Sequence, residues 1–265
     1  MQLRIHHTTR YRFDEPVIFA LQQIRKTPKN THHQTVHEWS TRIVGGRKEL
    51  SFEDHHNNRT ELISFDRNAT EVELISEGVV DVQDGFGVVG RNLGPAPLWL
   101  YQTATPRTEA KAGVRALARS IPAGTELDRL HALSQTIREA VAYEIGASEP
   151  DWSAEDALNA GRGVCQDHSH VFLAATRQMG FPARYVSGYL MLDDRTTQDA
   201  MHAWTEAYVE DLGWVGFDVS NGISPDSRYV RVATGLDYSD AAPVSGTRTG
   251  GAGEALEVQI EVAQQ

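Results

Sequence analysis

The stretch GRGVCQDHSHVFLAATRQMGFP, residues 161–182, contains the only cysteine of the chain, Cys165, directly after a glycine-rich break. Six residues from position 164 onward follow the three- and four-residue spacing of one face of an α-helix. They are Val164, His168, Val171, Phe172, Ala175 and Met179. The glycine and proline of MGFP end the pattern. The sequence therefore predicts a helix that Cys165 opens.

Three segments after this helix are rich in aromatic and β-branched residues, which favour strands. Their sequences are ARYVSGYLML, HAWTEAYV and GWVGFDVS. Before the helix, the spacing behind Thr125 predicts a long helix over roughly residues 126–142. Ser153, with Asp156 three residues later, predicts a short helix that starts with a capping box. We therefore expect helices followed by a short antiparallel sheet.

The N-terminal part alternates with a period of two, which is typical of strands. One such face comprises Leu3, Ile5, His7, Thr9 and Tyr11, and a later one comprises Val72, Leu74 and Ser76. The polar connector HHNNR between ELSFED and TELISF predicts a hairpin. The segment GRNLGPAPLWL, residues 90–100, is expected to be a linker, and ALEVQIEV near the C-terminus predicts a last strand.

Together these patterns predict an α+β protein. An antiparallel β-domain is expected over residues 1–95, and the core of helices and sheet over residues 108–240. Residues 241–265 are expected to form a C-terminal extension whose final strand returns toward the N-terminal sheet.

Composition and charge exclude several classes of protein. The formal net charge of −11 argues against nucleic acid as a partner, because phosphate binding depends on clustered lysine and arginine. No stretch approaches the ~18 apolar residues of a membrane helix.

The start MQLRIHHTTRYRFDEP resembles neither a secretory signal nor an anchor, so a cytoplasmic protein is expected. The expected partner is a peptide or another amide, with no cofactor.

A metal site is the alternative role for the histidines and the cysteine. Histidine doublets occur at residues 6–7, 32–33 and 55–56, and Cys165 with His168 has the spacing of a ligand pair. Adjacent residues of a strand point to opposite faces, so a doublet seldom gives two ligands to one ion. A second cysteine pair is also missing. We therefore expect packing or surface positions for these histidines and predict no metal.

The position of Cys165 at the start of a helix suits a nucleophile. Only the thiolate attacks carbonyls, and the unpaired N–H groups and dipole of a helix N-terminus favour the anion. The same N–H groups can stabilise an oxyanion. Gly163, just before it, would let the backbone approach a substrate closely. Asp167 is expected to cap the helix rather than to take part in catalysis.

A thiolate nucleophile also needs an imidazole that exchanges protons with the leaving amine. His168 and His170 lie on the same helix as the thiol, where neighbours rarely meet for proton transfer. A half-buried packing role is expected for His168 and a surface position for His170. His202 instead begins the strand HAWTEAYV, and Asp218 follows 16 positions later in GWVGFDVS.

Strand parity provides a test of this histidine and aspartate pair. In an antiparallel hairpin, residues on one face share parity across the two strands when the turn has an odd length. A three-residue turn at residues 210–212 would place Val209 opposite Gly213, and His202 diagonally opposite Asp218 on the same face. A two- or four-residue turn would separate the pair onto opposite faces.

Three segments, in this order, resemble the bacterial transglutaminase-like cysteine protein family, in the branch with an N-terminal β-domain. They are GRGVCQDHSHVFLAATRQMGFPARYVSGYL, HAWTEAYVEDLGWVGFDVSNG and RVATGLDYSDAAPVSGT. The resemblance is strong over residues 108–240 and looser over the first 90, through LRIHHTTRYRFDEPV. It implies a papain-like core with the cysteine on a central helix packed against an antiparallel sheet. It also implies that Cys165, His202 and Asp218 form a catalytic triad.

Two pairs of residues depart from the usual pattern of this family. His168 and Ser169 stand where relatives usually have Phe-Ala, and Val219 and Ser220 stand where they often have Pro-Thr. Neither departure removes a member of the implied triad. Both bear on the polarity of the pocket and on the choice of substrate.

Aromatic residues near these segments are candidates for lining an acyl cleft, with core packing as the alternative for each. They are Tyr143, Trp152, Trp204 and Trp214. Tyr143 and Trp152 are also the candidates for a second oxyanion donor.

The predicted function is thiol-dependent hydrolysis of an amide bond, as in a peptidase or isopeptidase. Cys165 would form the acyl-enzyme, His202 would act as acid and base, and Asp218 would orient His202. Two alternatives remain open. An amine could resolve the same acyl-enzyme, which is transglutamination, or the fold could serve as a non-catalytic peptide-binding module.

Overall fold

The chain begins with strands, continues through helices mixed with strands, and ends with two strands. The computed structural model describes residues 1–149 and 151–265. The strands are β1 (Gln2–Ile24), β2 (Gln34–Val44), β3 (Gly46–Glu53), β4 (Arg59–Phe65), β5 (Ala69–Val82), β6 (Val88–Gly90), β7 (Ala142–Tyr143), β8 (Arg162–Gly163), β9 (Ala183–Leu190), β10 (Thr197–Gln198), β11 (His202–Val209), β12 (Gly213–Phe217), β13 (Tyr229–Gly235), β14 (Val244–Gly250) and β15 (Ala255–Gln264). The α-helices are α1 (Ala112–Ser120), α2 (Glu126–Ala140), α3 (Ala154–Ala160), α4 (Cys165–Gln178) and α5 (Tyr238–Ala241), and a 3₁₀-helix spans Leu98–Gln102. The predicted α+β class is confirmed.

The larger sheet is organised around β1. Its first half alternates buried and more exposed residues, as the period of two predicted, and it pairs with β5 on one side and β15 on the other. Its second half pairs with β4 and β14. The predicted hairpin across HHNNR is confirmed by the pairing of β3 with β4. The last strand, β15, lies antiparallel to the first, with Leu3 opposite Gln264.

The second sheet contains the three strands predicted after the cysteine helix. Its order is β13-β9-β11-β12-β6, and these pairs are antiparallel. The predicted register of the β11–β12 hairpin is confirmed, because Val209 lies opposite Gly213 across a three-residue turn. The edge strand β6 begins at Val88, so the chain joins this sheet just before the predicted linker at residues 90–100.

The helices begin where their capping residues predicted. The Thr125 side chain accepts a hydrogen bond from the backbone N–H of Asp128 at the start of α2. Ser153 and Asp156 form the predicted capping box of α3. None of the described helices is long and apolar enough to cross a membrane.

The predicted cysteine helix is confirmed as α4, and it lies at the centre of the helical layer. Every residue from Asp167 to Arg177 is buried, so this helix is covered on all sides. Apolar residues of α1, α2 and α3 contact it on one side, and residues of β11 and β12 on the other. A helix held in this way keeps its first turn, and therefore Cys165, in a defined position.

The two sheets share one apolar cluster. Leu3 and Ile5 of β1 and Val80 of β5 pack in the same cluster as Tyr189 of β9 and Val230 of β13. Cys165 is half-buried against this cluster. The first turn of α4 therefore lies near the junction of the two sheets, which decides what surrounds the thiol.

Candidate active site

Cys165 is the first residue of α4, and the turn around it is capped. Val164 precedes it with extended backbone angles, φ −114° and ψ −174°. The Asp167 carboxylate accepts hydrogen bonds from the backbone N–H of Val164 at 2.8 Å and from the Ser148 hydroxyl at 3.1 Å. The predicted capping role of Asp167 is therefore confirmed. The N–H groups of the first helical turn have no partner within the helix and are available beside the thiol.

Gly163 provides the space that this cap needs. A Cβ atom at Gly163 would lie 2.7 Å from the Asp167 side chain, which is closer than real contacts allow. Any larger residue would therefore displace the carboxylate that caps α4. A role of Gly163 in contacting substrate stays a prediction.

His202 and Asp218 meet at one end of the β11–β12 hairpin. His202 is the first residue of β11 and Asp218 directly follows β12, and the ring Nε2 lies 2.6 Å from the carboxylate Oδ2. The Asp218 side chain is fully buried, and the His202 side chain is 12% exposed. The odd-length turn places them on the same face of the hairpin, as parity predicted. Because Nε2 is engaged by Asp218, Nδ1 is the ring nitrogen available to the thiol.

Two residues that sequence reasoning missed hold the Asp218 carboxylate. The Asn221 side chain donates to Oδ2 at 2.7 Å, and its backbone N–H donates to Oδ1 at 3.2 Å. The Tyr229 hydroxyl donates to Oδ2 at 2.8 Å. Asn221 lies in a turn three residues after Asp218. This short spacing is a local signal by which the sequence could have indicated the contact. Tyr229 comes from β13, and no local pattern indicates its role.

These contacts favour an ionised histidine and aspartate. Burial by itself lowers the pKa of His202, but the hydrogen bond to Asp218 and the interaction with Cys165 raise it to about 10. Burial also opposes ionisation of Asp218, whereas His202, Asn221 and Tyr229 stabilise the carboxylate, so the pKa of Asp218 is lowered. The Cys165 side chain thus lies next to a histidine that the buried carboxylate holds in its charged form.

Cys165 and His202 line a pocket of about 320 Å³. Residues from both sheets form its walls. Some come from β1 in the larger sheet, and others come from the core around α4. The contributors from the N-terminal part are His7, Thr9, Tyr11 and Lys26. The first sheet therefore borders the thiol.

The aromatic candidates lie in different places. Trp204 is buried and its ring stacks on His202, with centroids 6.3 Å apart and planes 26° apart. Tyr143 is 52% exposed, and its ring centroid lies 6.1 Å from that of His168. Trp152 packs on the helical core, and Trp214 is buried in a separate cluster with Tyr101. None of the four is among the described residues that line the pocket beside Cys165.

The surface position predicted for His170 is wrong. Its side chain is 0% exposed, and its Nε2 accepts a hydrogen bond from the Tyr238 backbone at 3.3 Å. Burial lowers the pKa of His170 to about 3. The helical pattern had placed it off the main apolar face, but α4 is covered on every side, so no surface face exists at this position.

His168 is also more buried than predicted, and it connects two of the departures from the family pattern. Its Nε2–H donates to the Val141 carbonyl, and its Nδ1 accepts from the Ser220 hydroxyl, each at 2.8 Å. Burial lowers the pKa of His168, so the neutral ring fits these contacts. His168 and Ser220 thus form a hydrogen bond between α4 and the loop after β12, and neither lines the pocket.

The fold separates the two histidines of the doublet at residues 6–7 but keeps the rings of the other two doublets in contact. His6 contacts Glu77 on the exposed side of β1, whereas His7 is buried against Tyr189. The rings of His55 and His56 contact each other at a tilt of 42°, and His56 is buried beside Tyr101. Across residues 1–149 and 151–265, no three His, Cys, Asp or Glu side chains are grouped in a way that could hold a metal ion.

Comparison with known proteins matches both parts of the chain. Residues 115–219 match the transglutaminase-like superfamily, and residues 3–81 match the bacterial transglutaminase-like N-terminal region. An uncharacterized protein of Mycobacterium leprae (strain TN) is 28% identical over 279 residues, which is 99% of each chain. One from Mycobacterium tuberculosis (strain H37Rv) is 27% identical over 288 residues, covering 98% of this chain and 91% of the relative.

A solved structure has the same fold over nearly the whole chain. The crystal structure of a candidate cysteine protease from Cytophaga hutchinsonii has a TM-score of 0.81 at 20% identity. The likeness covers 99% of this chain and 90% of that one. The predicted architecture is confirmed: an N-terminal β region is followed by a transglutaminase-like core.

Proposed function

The chain belongs to the transglutaminase-like superfamily, with the bacterial N-terminal region, and from this premise we propose that it hydrolyses amide bonds through a thioester on Cys165. The substrates are peptides or other amides, including isopeptides. The observation that carries the proposal is the 2.6 Å contact between His202 and Asp218 beside the half-buried thiol at the start of α4. A cytoplasmic location stays a prediction.

The first half of the proposed reaction forms the acyl-enzyme. The thiolate of Cys165 attacks the amide carbonyl carbon, and first-turn N–H groups of α4 stabilise the resulting oxyanion. The His202 imidazolium then gives its proton to the amide nitrogen. The C–N bond breaks, the amine leaves, and a thioester remains on Cys165.

The second half releases the acid. His202, now neutral, takes a proton from a water molecule, whose oxygen attacks the thioester carbonyl. The C–S bond breaks, the carboxylic acid leaves, and the thiolate and imidazolium are restored. Asp218 keeps His202 in the orientation and tautomer that both halves require, because Asn221 and Tyr229 hold the carboxylate in place.

Product analysis tests hydrolysis against transfer to an amine. The protein is incubated with a glutamine-containing peptide and an excess of a primary amine, and the products are measured by mass spectrometry. We expect the free acid, a gain of about 1 Da for a glutamine side chain, to dominate over the amine adduct. A predominant amine adduct would replace the hydrolase by a transglutaminase, and neither product is expected from the Cys165→Ala control.

Alkylation of the thiol tests the enzyme against a non-catalytic binding module. Near neutral pH, iodoacetamide is expected to modify Cys165 rapidly, because the imidazolium of His202 stabilises the thiolate. His202→Ala should slow the modification by about tenfold or more. The rate is measured by intact mass, with His131→Ala as a control because His131 lies away from this pocket. A thiol that is as slow as free cysteine in both proteins would support the binding module.

A further inference from the structure

Lys26 is a buried lysine that faces the pocket next to the thiol. Its side chain is fully buried, and it lines the same pocket as Cys165 and His202. Its Nζ donates a hydrogen bond to the Thr9 hydroxyl. In the described parts of the chain, no carboxylate lies within ion-pair distance of Lys26. A buried ammonium group normally has an anionic partner, because desolvation otherwise penalises the charge.

Among the described residues, the hydrogen bonds around Lys26 leave donor protons of Lys26 and Thr9 without an acceptor. Tyr189 can donate its hydroxyl proton to His7 Nδ1, at 3.0 Å, and His7 Nε2–H then donates to Thr9 Oγ1, at 3.1 Å. Burial, Lys26 and His6 lower the pKa of His7, so the neutral ring fits this chain. The Thr9 oxygen then accepts from both His7 and Lys26. Its own proton, and the remaining N–H groups of Lys26, are free for an acceptor in the pocket.

The rest of the pocket wall would suit a short acyl chain. Apolar side chains such as Val164, Met201 and Val258 line the pocket together with the polar groups. Among the described lining residues, the one carboxylate is that of Asp199, which is exposed to solvent. A pocket of about 320 Å³ has the volume of about ten liquid waters at ~30 Å³ each, which fits an acyl group about the size of one amino acid.

We propose that Lys26 and Thr9 bind a free carboxylate on the acyl group that Cys165 attacks. The preferred substrates are then amides of acids that carry a second, ionised carboxylate. This inference rests on the proposed function, because it assigns the substrate class of the same site. The N-terminal β-domain thereby selects the substrate, in addition to packing against the core. Burial lowers the pKa of Lys26 to about 7, and a bound carboxylate would favour its charged form.

Matched alkylating reagents test the inference without knowledge of the natural substrate. Three reagents are N-iodoacetyl derivatives of glycine, β-alanine and γ-aminobutyrate, each compared with its neutral carboxamide. Each pair has the same reactive carbon and length and differs only in terminal charge. For at least one length, the carboxylate form is expected to modify Cys165 about tenfold faster than its carboxamide.

Lys26→Met should abolish this preference, so that each carboxylate form modifies Cys165 no faster than its matched carboxamide in the same variant. Lys111→Met gives the same change in net charge on an exposed residue outside the pocket, and it should keep the preference. Lys26→Met is also expected to melt at the same temperature as the wild type or higher, because it replaces an unpaired buried cation with an apolar side chain.

The possible outcomes separate this inference from the proposed function. If the carboxamides modify Cys165 rapidly but no carboxylate form is preferred, or if the preference survives in Lys26→Met, the carboxylate site is wrong and the reactive thiol stands. If no reagent modifies Cys165 faster than free cysteine, the proposed function fails and the carboxylate site fails with it.

Discussion

Replacing Cys165 with alanine is expected to remove the amide-hydrolysing activity, with a loss of at least about 10³-fold in kcat/KM. The reason is that the proposed covalent step depends on a thiolate, and Cys165 is the only cysteine of the chain. Trapping with a peptide pool should show an acyl adduct on the wild type and none on the variant, as read by intact mass.

Cys165→Ser provides the matched control for this prediction. Serine keeps the size and hydrogen-bonding capacity of the side chain, but its hydroxyl is a much weaker nucleophile without a strong base. We expect it to fold like the wild type and to be nearly as inactive as the alanine variant. Both should melt within a few degrees of the wild type, since α4 is held by residues from Asp167 onward. Activity retained in either variant would remove Cys165 from the reaction.

Replacing Glu206 with glutamine is expected to destabilise the fold by roughly 3–5 kcal/mol, because it removes one member of a buried charged triad. Glu206 is fully buried in β11, and it accepts hydrogen bonds from Arg184 Nε and Arg231 Nε, both at 2.6 Å. The Arg184 guanidinium also lies 3.9 Å from the Trp214 ring centroid. The variant would leave two buried cations without an anion, and the melting temperature should fall by roughly 10 °C.

Asp193→Asn is the control for this stability change. Asp193 forms an exposed ion pair with Arg228, which keeps Asp226 as its second partner. Exposed pairs of this kind contribute at most about 1 kcal/mol. Chemical denaturation of both variants provides the comparison. If Glu206→Gln cost no more than Asp193→Asn, the triad would have no role in stability.

The Glu206 triad also predicts a dependence of stability on pH. Burial opposes ionisation, but Arg184 and Arg231 outweigh it and lower the pKa of Glu206 to about 2. Because the folded pKa lies below the ordinary value of 4.5, the stabilisation is present above about pH 4.5 and is lost as the pH falls toward 2. The difference in unfolding free energy between wild type and Glu206→Gln should therefore shrink over this range.

The elements around the candidate site could be predicted from local patterns. The start of α4 at Cys165 followed from the spacing of apolar residues after a glycine-rich break, and the caps at Thr125 and Ser153 from single residue types. Strand parity was sufficient to place His202 and Asp218 on one face, because the two strands are neighbours in sequence and a short turn determines their register. These are properties of short segments.

The surroundings of the site depend on segments that are far apart in the chain. Lys26 and Thr9 line the same pocket as the thiol only because β1 packs against the sheet that contains β9, and Tyr229 reaches Asp218 from β13. His170 was misplaced for the same reason, since a helical pattern shows which face is most apolar but not that every face is covered.

The sequence by itself thus determined the α+β class, the helix that begins at Cys165 and the pairing of His202 with Asp218. Only the tertiary structure decided which groups surround them, including the buried lysine from the N-terminal part. The physical reason is that periodicity, capping and turn length act within about 20 residues, whereas burial results from packing between whole sheets and helices. No pattern within a segment specifies which distant surface will cover it.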